Sequence, residues 1–171
     1  MSISMYQSSA PTFIRMLNRL SAILDKAQAH ADAKKFDSAN YLQARLAPDM
    51  LPFSKQVQIA CDAAKGCMAR LAGVEIPKHP DTEQSLGELK ARIASLIDYV
   101  KSFKPERIDG AEGREIVLKL GPKQDFILNF TGLTFLQAFS TGNFYFHTTT
   151  AYALLRRQGV DLGKQDFLGR A

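Results

Sequence analysis

Residues 143–169, NFYFHTTTAYALLRRQGVDLGKQDFLG, decide how this chain is read. Phe144, Ala151, Leu154 and Leu155 fall at steps of three, four and seven, which sets them on one face of a helix. His147 stands four after Asn143 and four before Ala151, so its imidazole shares that inward face. Arg156 and Arg157 oppose the negative end of the helix dipole, and Gly159 supplies the left-handed residue that turns the chain away. A histidine among apolar groups has two readings. It is a neutral core residue held by a hydrogen bond, because a buried unpaired polar group is costly. Or it is a ligand or base at the floor of a pocket.

Working back from that helix, Leu133 to Ser140 reads as a helical turn or two, with a break at Gly142. Glu115–Leu120 and Asp125–Phe130 alternate around Gly121-Pro122-Lys123-Gln124 and predict a β-hairpin. Ile116, Leu118 and Leu120 would share a covered face with Phe126, Leu128 and Phe130. An isolated hairpin is marginal in water, so this one must lean on helices.

Ser85 and Glu88 form a capping box that opens a third helix. Its stripe is Leu86, Leu89, Ile93, Leu96, Ile97, Val100 and Phe103, and Pro105 follows its end. Gly73 to Gln84, with Pro77, His79 and Pro80, is a loop in which His79 is expected in solvent. The second helix is opened by Pro48 and ended by Gly73. Phe53, Val57, Ala60, Cys61, Ala64, Met68 and Leu71 form its buried face. Asp62 and Lys65 on its flank have the spacing of a surface ion pair.

Residues 36–47 form a connection around Tyr41 and Leu42. Before it, Ile3, Tyr6, Ala10, Phe13, Leu17, Leu20, Leu24, Ala27 and Ala31 make one unbroken seam of three- and four-residue steps. That is a long helix, expected to kink at Pro11 and to end near Lys34-Lys35, with His30 on its solvated side. The pattern is mainly all-α: an up-and-down four-helix bundle in one domain, 1–171, with a small hairpin between helices three and four.

Composition narrows the function. The net charge of +5 is spread along the chain, and its densest clusters are the pairs Lys34-Lys35 and Arg156-Arg157. No basic run with interleaved aromatics occurs, which argues against nucleic-acid binding. Cys61 and Cys67 lie six apart on one helix and point to different sides, so they cannot bridge each other. No signal peptide is recognisable at the N-terminus. The apolar-rich window 126–139 is too short and too interrupted for a bilayer, which needs about 20 apolar residues. A cytoplasmic location is the expectation. There is no G-x-S-x-G, P-loop or C-x-x-C.

The strings RLAPDMLPFSKQVQIACDAAKG (45–66), LNFTG (128–132) and the opening stretch resemble the DinB/YfiT-like four-helix bundles, in a branch known as a domain of unknown function. The resemblance covers nearly the whole chain and implies a metalloenzyme fold. Its members typically carry a divalent metal on three histidines, one from the second helix and an H-x-x-x-H pair from the fourth. Some relatives are transferases dependent on low-molecular-weight thiols. His147 falls where a fourth-helix ligand belongs, but Asn143 and Ala151 stand at i−4 and i+4. The second-helix ligand would fall at or beside Cys61-Asp62.

The leading expectation is therefore a small-molecule-binding protein without a metal cofactor. Its pocket would lie between helices two and four around His147, Asn143 and Asp62, with Cys61 and Tyr152 beside them. One alternative is a transferase dependent on a divalent metal or a thiol, with His147 as a ligand. Another is a structural or stress-associated dimer without catalysis. A homodimer is expected in any case, because helix one carries a seam longer than one bundle needs.

Overall fold

The seam of the N-terminal third becomes α1 (Met5–Lys34) in the computed structural model, which describes residues 3–121, 123 and 125–169. Ser4 caps it through a reciprocal box with Gln7, and Asp109 accepts the Tyr6 N–H at 2.7 Å. The helix runs on through Pro11. Pro11 is exposed, so the Gln7 carbonyl it cannot bond faces water. From Ala10 to Ala31 every seam position is buried in the chain's own core, while Ile3 lies outside it. The seam is thus covered within the bundle from Ala10 onward, and its first positions, Ile3 and Tyr6, are not buried.

The connection that follows is packed. His30 Nδ1 meets the Tyr41 hydroxyl at 2.6 Å, so His30 is half-buried and partnered, not free in solvent as its position on the helix suggested. The carbonyls of Ala44 and Leu42 accept the N–H groups of Phe53 and Ser54. They satisfy the start of α2 (Phe53–Ala72), which begins after Pro52 and five residues later than Pro48. Gly73 ends it as expected, and Ser85 caps α3 (Leu86–Lys101) by accepting the Glu88 N–H at 3.1 Å. A single turn, α4 (Pro105–Ile108), leads to the hairpin.

β1 (Glu115–Leu120) and β2 (Phe126–Thr131) pair antiparallel, with Ile116 opposite Phe130 and Leu118 opposite Leu128. Ile116 and Leu118 are buried and Leu128 and Phe130 half-buried, so the shared face is covered at its base. Phe126, near the tip, is 58% exposed. Of the expected turn, Pro122 and Gln124 lie outside the described residues.

The last helical stretch is continuous from Gly132 to Arg157 and does not break at Gly142. An interior glycine costs about 1 kcal/mol but need not end a helix. The irregularity sits upstream instead. α5 (Gly132–Thr134) passes into a π-helical segment (Phe135–Ser140) before α6 (Thr141–Arg157). Gly132 has no alternative at its position: a Cβ there would stand 1.9 Å from the Ala111 carbonyl oxygen. After Gly159 the tail buries Val160 and Leu162, and α7 (Lys164–Leu168) lies along α1.

α1 packs on α3 and α6, and α2 on α6 and α3, so α1 and α2 sit at opposite corners of a four-helix bundle. Phe13 of α1 and Phe144 of α6 meet edge to face at 4.9 Å in the core. No helix among the described residues is long and apolar enough to cross a membrane.

Charged groups are built into this core, Arg92 the most deeply. Arg92 of α3 is 2% exposed. Its guanidinium reaches Asp62 (3.1 Å), Asp81 (2.9 Å) and Glu83 (2.9 Å), and donates to the Pro80 carbonyl at 3.0 Å. It thereby clamps the loop between α2 and α3 onto both helices. Burial would raise the Asp81 and Glu83 pKa values, but hydrogen bonds from Lys55 to Asp81 and from Arg92 to both outweigh it and hold them below the usual carboxylate range. Arg92→Leu should cost about 3 kcal/mol at neutral pH, because Glu83 is left buried without its cation. The clamp is fully present above the unfolded carboxylate pKa of about 4 and is lost as pH falls through the depressed folded values. The gap between wild type and variant in urea melts should narrow there.

Candidate functional site

The second and fourth long helices meet beneath the hairpin, and their contact leaves a groove of about 250 Å³. Ile59, Leu118, Leu120, Phe135 and Phe139 form its apolar walls, with Asp62, Arg70, Ser140 and Asn143 as its polar groups. Two of the residues singled out in the sequence, Asp62 and Asn143, therefore come together. The π-helical segment is the local cause: Phe135, Phe139 and Ser140 belong to it, and Asn143 follows within a turn. Such segments carry an i→i+5 pattern that widens the helix and recurs at functional sites.

Asp62 is anchored more firmly than a surface pair. Its Oδ1 takes both Lys65 (2.7 Å) and Arg92 (3.1 Å), and Lys65 is itself buried. The sequence pointed to the Lys65 pair but not to Arg92. The signal was present, since position 92 lies three after Leu89 and four before Leu96, on the buried stripe of α3.

His147 is 9% exposed and does not line the groove. Its Nδ1 is 2.7 Å from Gln56 Oε1, while Gln56 Nε2 donates to the Leu51 carbonyl at 2.9 Å. That second bond fixes the amide orientation, so His147 Nδ1 carries the proton and donates it. Burial pushes the imidazole pKa below its ordinary value and keeps the ring neutral. Phe146 stands edge-on to the ring at 5.1 Å.

Cys61 is fully buried, and burial pushes its thiol up to about 12. Cys67, beneath Ser140 and Arg70, is pushed to about 12 for the same reason. Both are free thiols, as their spacing required. Tyr152 belongs to the tail: its hydroxyl donates to the Leu162 carbonyl at 3.4 Å and its ring packs edge-on against Phe167. The structure thus separates the five expected residues into a groove pair, a core histidine, a core thiol and a tail anchor. Arg70, which sequence reasoning passed over, joins the groove pair.

The family described as DUF1993, a domain of unknown function, matches residues 5–168, nearly the whole length. The chain belongs to the DUF1993 family. A crystal structure of a DinB family member protein from Shewanella denitrificans has 42% sequence identity with this DUF1993 chain and superposes with a TM-score of 0.87. The match covers 97% of this chain and 92% of that one. No curated protein matches the sequence.

The residues present do not fit a metal held on three histidines. His147 has no second imidazole one turn away, since Asn143 and Ala151 stand at i−4 and i+4. Asp62 is committed to two cations, and Cys61 is a buried thiol. Among the described residues no three His, Cys, Asp or Glu side chains gather where they could share an ion.

His147→Ala should cost about 2–4 kcal/mol, from the cavity and from the orphaned Gln56. Added divalent metal should leave that loss unchanged. The pH dependence follows from the lowered pKa. The unfolded histidine takes a proton near 6.5 and the folded one only at lower pH, so acid favours unfolding. Wild-type melting temperature should fall as pH drops below about 6.5, and the variant should show a flatter profile in scanning calorimetry.

Proposed function

We propose that this DUF1993 chain is a small-molecule-binding protein that works without a resident metal, with the groove between α2, the hairpin and the π-helical segment as its site. One observation carries the reading: the irregular turn of the last helix sets Ser140 and Asn143 on the same apolar-walled groove as Asp62. A few placed polar groups in a mainly apolar concavity are the usual makings of a ligand site. A larger cleft, about 590 Å³, lies between α1 and α7. Arg19, Lys26, Lys164, Gln165 and Asp166 make up most of its lining, and Lys26 is already paired with Asp166 at 2.8 Å. Its apolar lining includes Ala22 and Ile23 but no aromatic ring, whereas Phe135 and Phe139 wall the groove.

The same geometry favours binding over nucleophilic catalysis. Neither thiol ionises near neutral pH. The hydroxyls of Thr148 and Thr150 bond back to the carbonyls of Phe144 (3.0 Å) and Phe146 (2.7 Å). His147 is oriented by an amide and not by a carboxylate, so it lacks the partner that would stabilise an imidazolium.

Thermal-shift screening against a metabolite collection tests the proposal. A ligand at a hundredfold its Kd stabilises the native state by about 2.7 kcal/mol. Ala63→Phe, which fills the groove from its α2 wall, should abolish the response while the chain stays folded. Chelator should leave the wild-type response intact. A stabilisation that needs divalent metal and survives Ala63→Phe would replace this reading with the metal-dependent one.

A further inference from the structure

Arg70 lies two turns beyond Asp62 on α2 and lines the far end of the same groove. Three features bear on what it can bind, and the first is found for no other cation among the described residues. Its guanidinium carbon stands 5.6 Å from the centroid of the Phe135 ring, a cation–π placement that fixes the head group against the groove wall. It folds back over Gly66, where a Cβ would approach Nη1 to 2.5 Å, so the side chain occupies space that only glycine leaves open. And none of the ion pairs among the described residues includes it, although Lys26, Lys55, Lys65, Lys90, Arg92 and Lys101 all have carboxylates.

A half-buried guanidinium without a counter-ion is costly to keep, and a carboxylate is the group whose geometry its planar fork matches. Burial pulls the Arg70 pKa down, the Cys67 thiol opposes that, and arginine remains charged at any physiological pH. At the other end of the groove stands a carboxylate of the protein itself, Asp62, with Asn143 beside the cavity. At 1.5 Å of rise per residue the two ends are about 12 Å apart along the helix. The groove therefore has a cation without an ion pair among the described residues at one end and a carboxylate paired with Lys65 and Arg92 at the other, with Leu118, Leu120, Phe135 and Phe139 between.

We infer that the groove selects an organic monocarboxylate, whose head group pairs with Arg70 and whose apolar body lies along Leu118, Leu120, Phe135 and Phe139. The inference rests on reading the groove as the binding site. It favours one carboxylate over two, because Lys65 and Arg92 at the distal end are already paired with Asp62 and leave a second carboxylate no free cation, and it accepts a neutral group there.

The test is calorimetric titration of the full chain with straight-chain acids from butanoate to decanoate and with 3-phenylpropanoate, each beside its amide. Acids should bind about tenfold or more tighter than their amides, the value of a charge-assisted hydrogen bond over a neutral one. Arg70→Gln should erase that preference and leave amide binding unchanged. Gly66→Ala provides a readout that a purely structural role would not give. Alanine is the better helix former, and the displaced atom is the free end of a flexible side chain, so the melting temperature should hold or rise while acid binding weakens severalfold. Amides that bind as tightly as acids, or a preference that survives Arg70→Gln, would overturn the inference and leave the groove standing. Binding of neither acid nor amide would overturn both.

Discussion

The close approach of Gly132 to the Ala111 carbonyl sets the position of everything that follows it in the chain. At that point the backbone leaves β2 and must begin a helix while touching the turn that precedes β1. The Leu133 N–H is accepted by the Glu112 carbonyl at 3.0 Å, and the Thr131–Thr134 capping box closes the same corner. With its start pinned there and its later turns packed between α1 and α2, the last helix has a fixed path at both ends. The π-helical segment lies between these two fixed points, and the aromatic cluster of Phe130, Phe135 and Phe139 packs over it. Phe135, Phe139 and Ser140 of that segment line the groove.

Two polar arrangements hold the surrounding bundle in register. Arg92 ties the α2–α3 loop to both helices through three carboxylates and a carbonyl, and His147 ties α6 to the start of α2 through Gln56. Both are directional and both are buried, so a slip of either helix would orphan a charge or an amide. Apolar stripes alone would tolerate such a slip more easily. The cluster around Arg92 also orients Asp62, whose carboxylate faces the core network on one side and the groove on the other.

The resemblance to DinB-like bundles implies a histidine-ligated metal between the second and fourth long helices, the pair that flanks this groove. In this chain the side chains there are engaged otherwise. Asn143 stands where the H-x-x-x-H pair needs an imidazole, and the remaining imidazole hydrogen-bonds within the core. What is left at the helix pair is a concavity with an apolar middle and charged ends. On the proposed reading it recognises a ligand by shape and charge, with Arg70, held over Phe135 and in none of the ion pairs among the described residues, as the charged group.

The long periodic elements were legible in the sequence because burial imposes them locally. The seam of α1, the capped stripe of α3, the alternating hairpin and the inward position of His147 all follow from spacing that any neighbour would read in the same way. So did the failure of the two cysteines to pair. Where the helices met, and through which side chains, was settled only by tertiary structure. Arg92 occupies a stripe position that pattern reading assigns to an apolar residue, and its three carboxylates come from α2 and from a loop of no regular pattern. The helix does not break at Gly142, where an added side chain would meet nothing, and a π-helical segment lies just upstream; a glycine's effect depends on what its missing side chain would have touched. For Gly132 and Gly66 that contact is with Ala111 and with Arg70, and neither is a feature of local sequence. The groove residues come from α2, the hairpin and the last helix, which approach one another only after the chain has folded, and no period in the sequence records that approach.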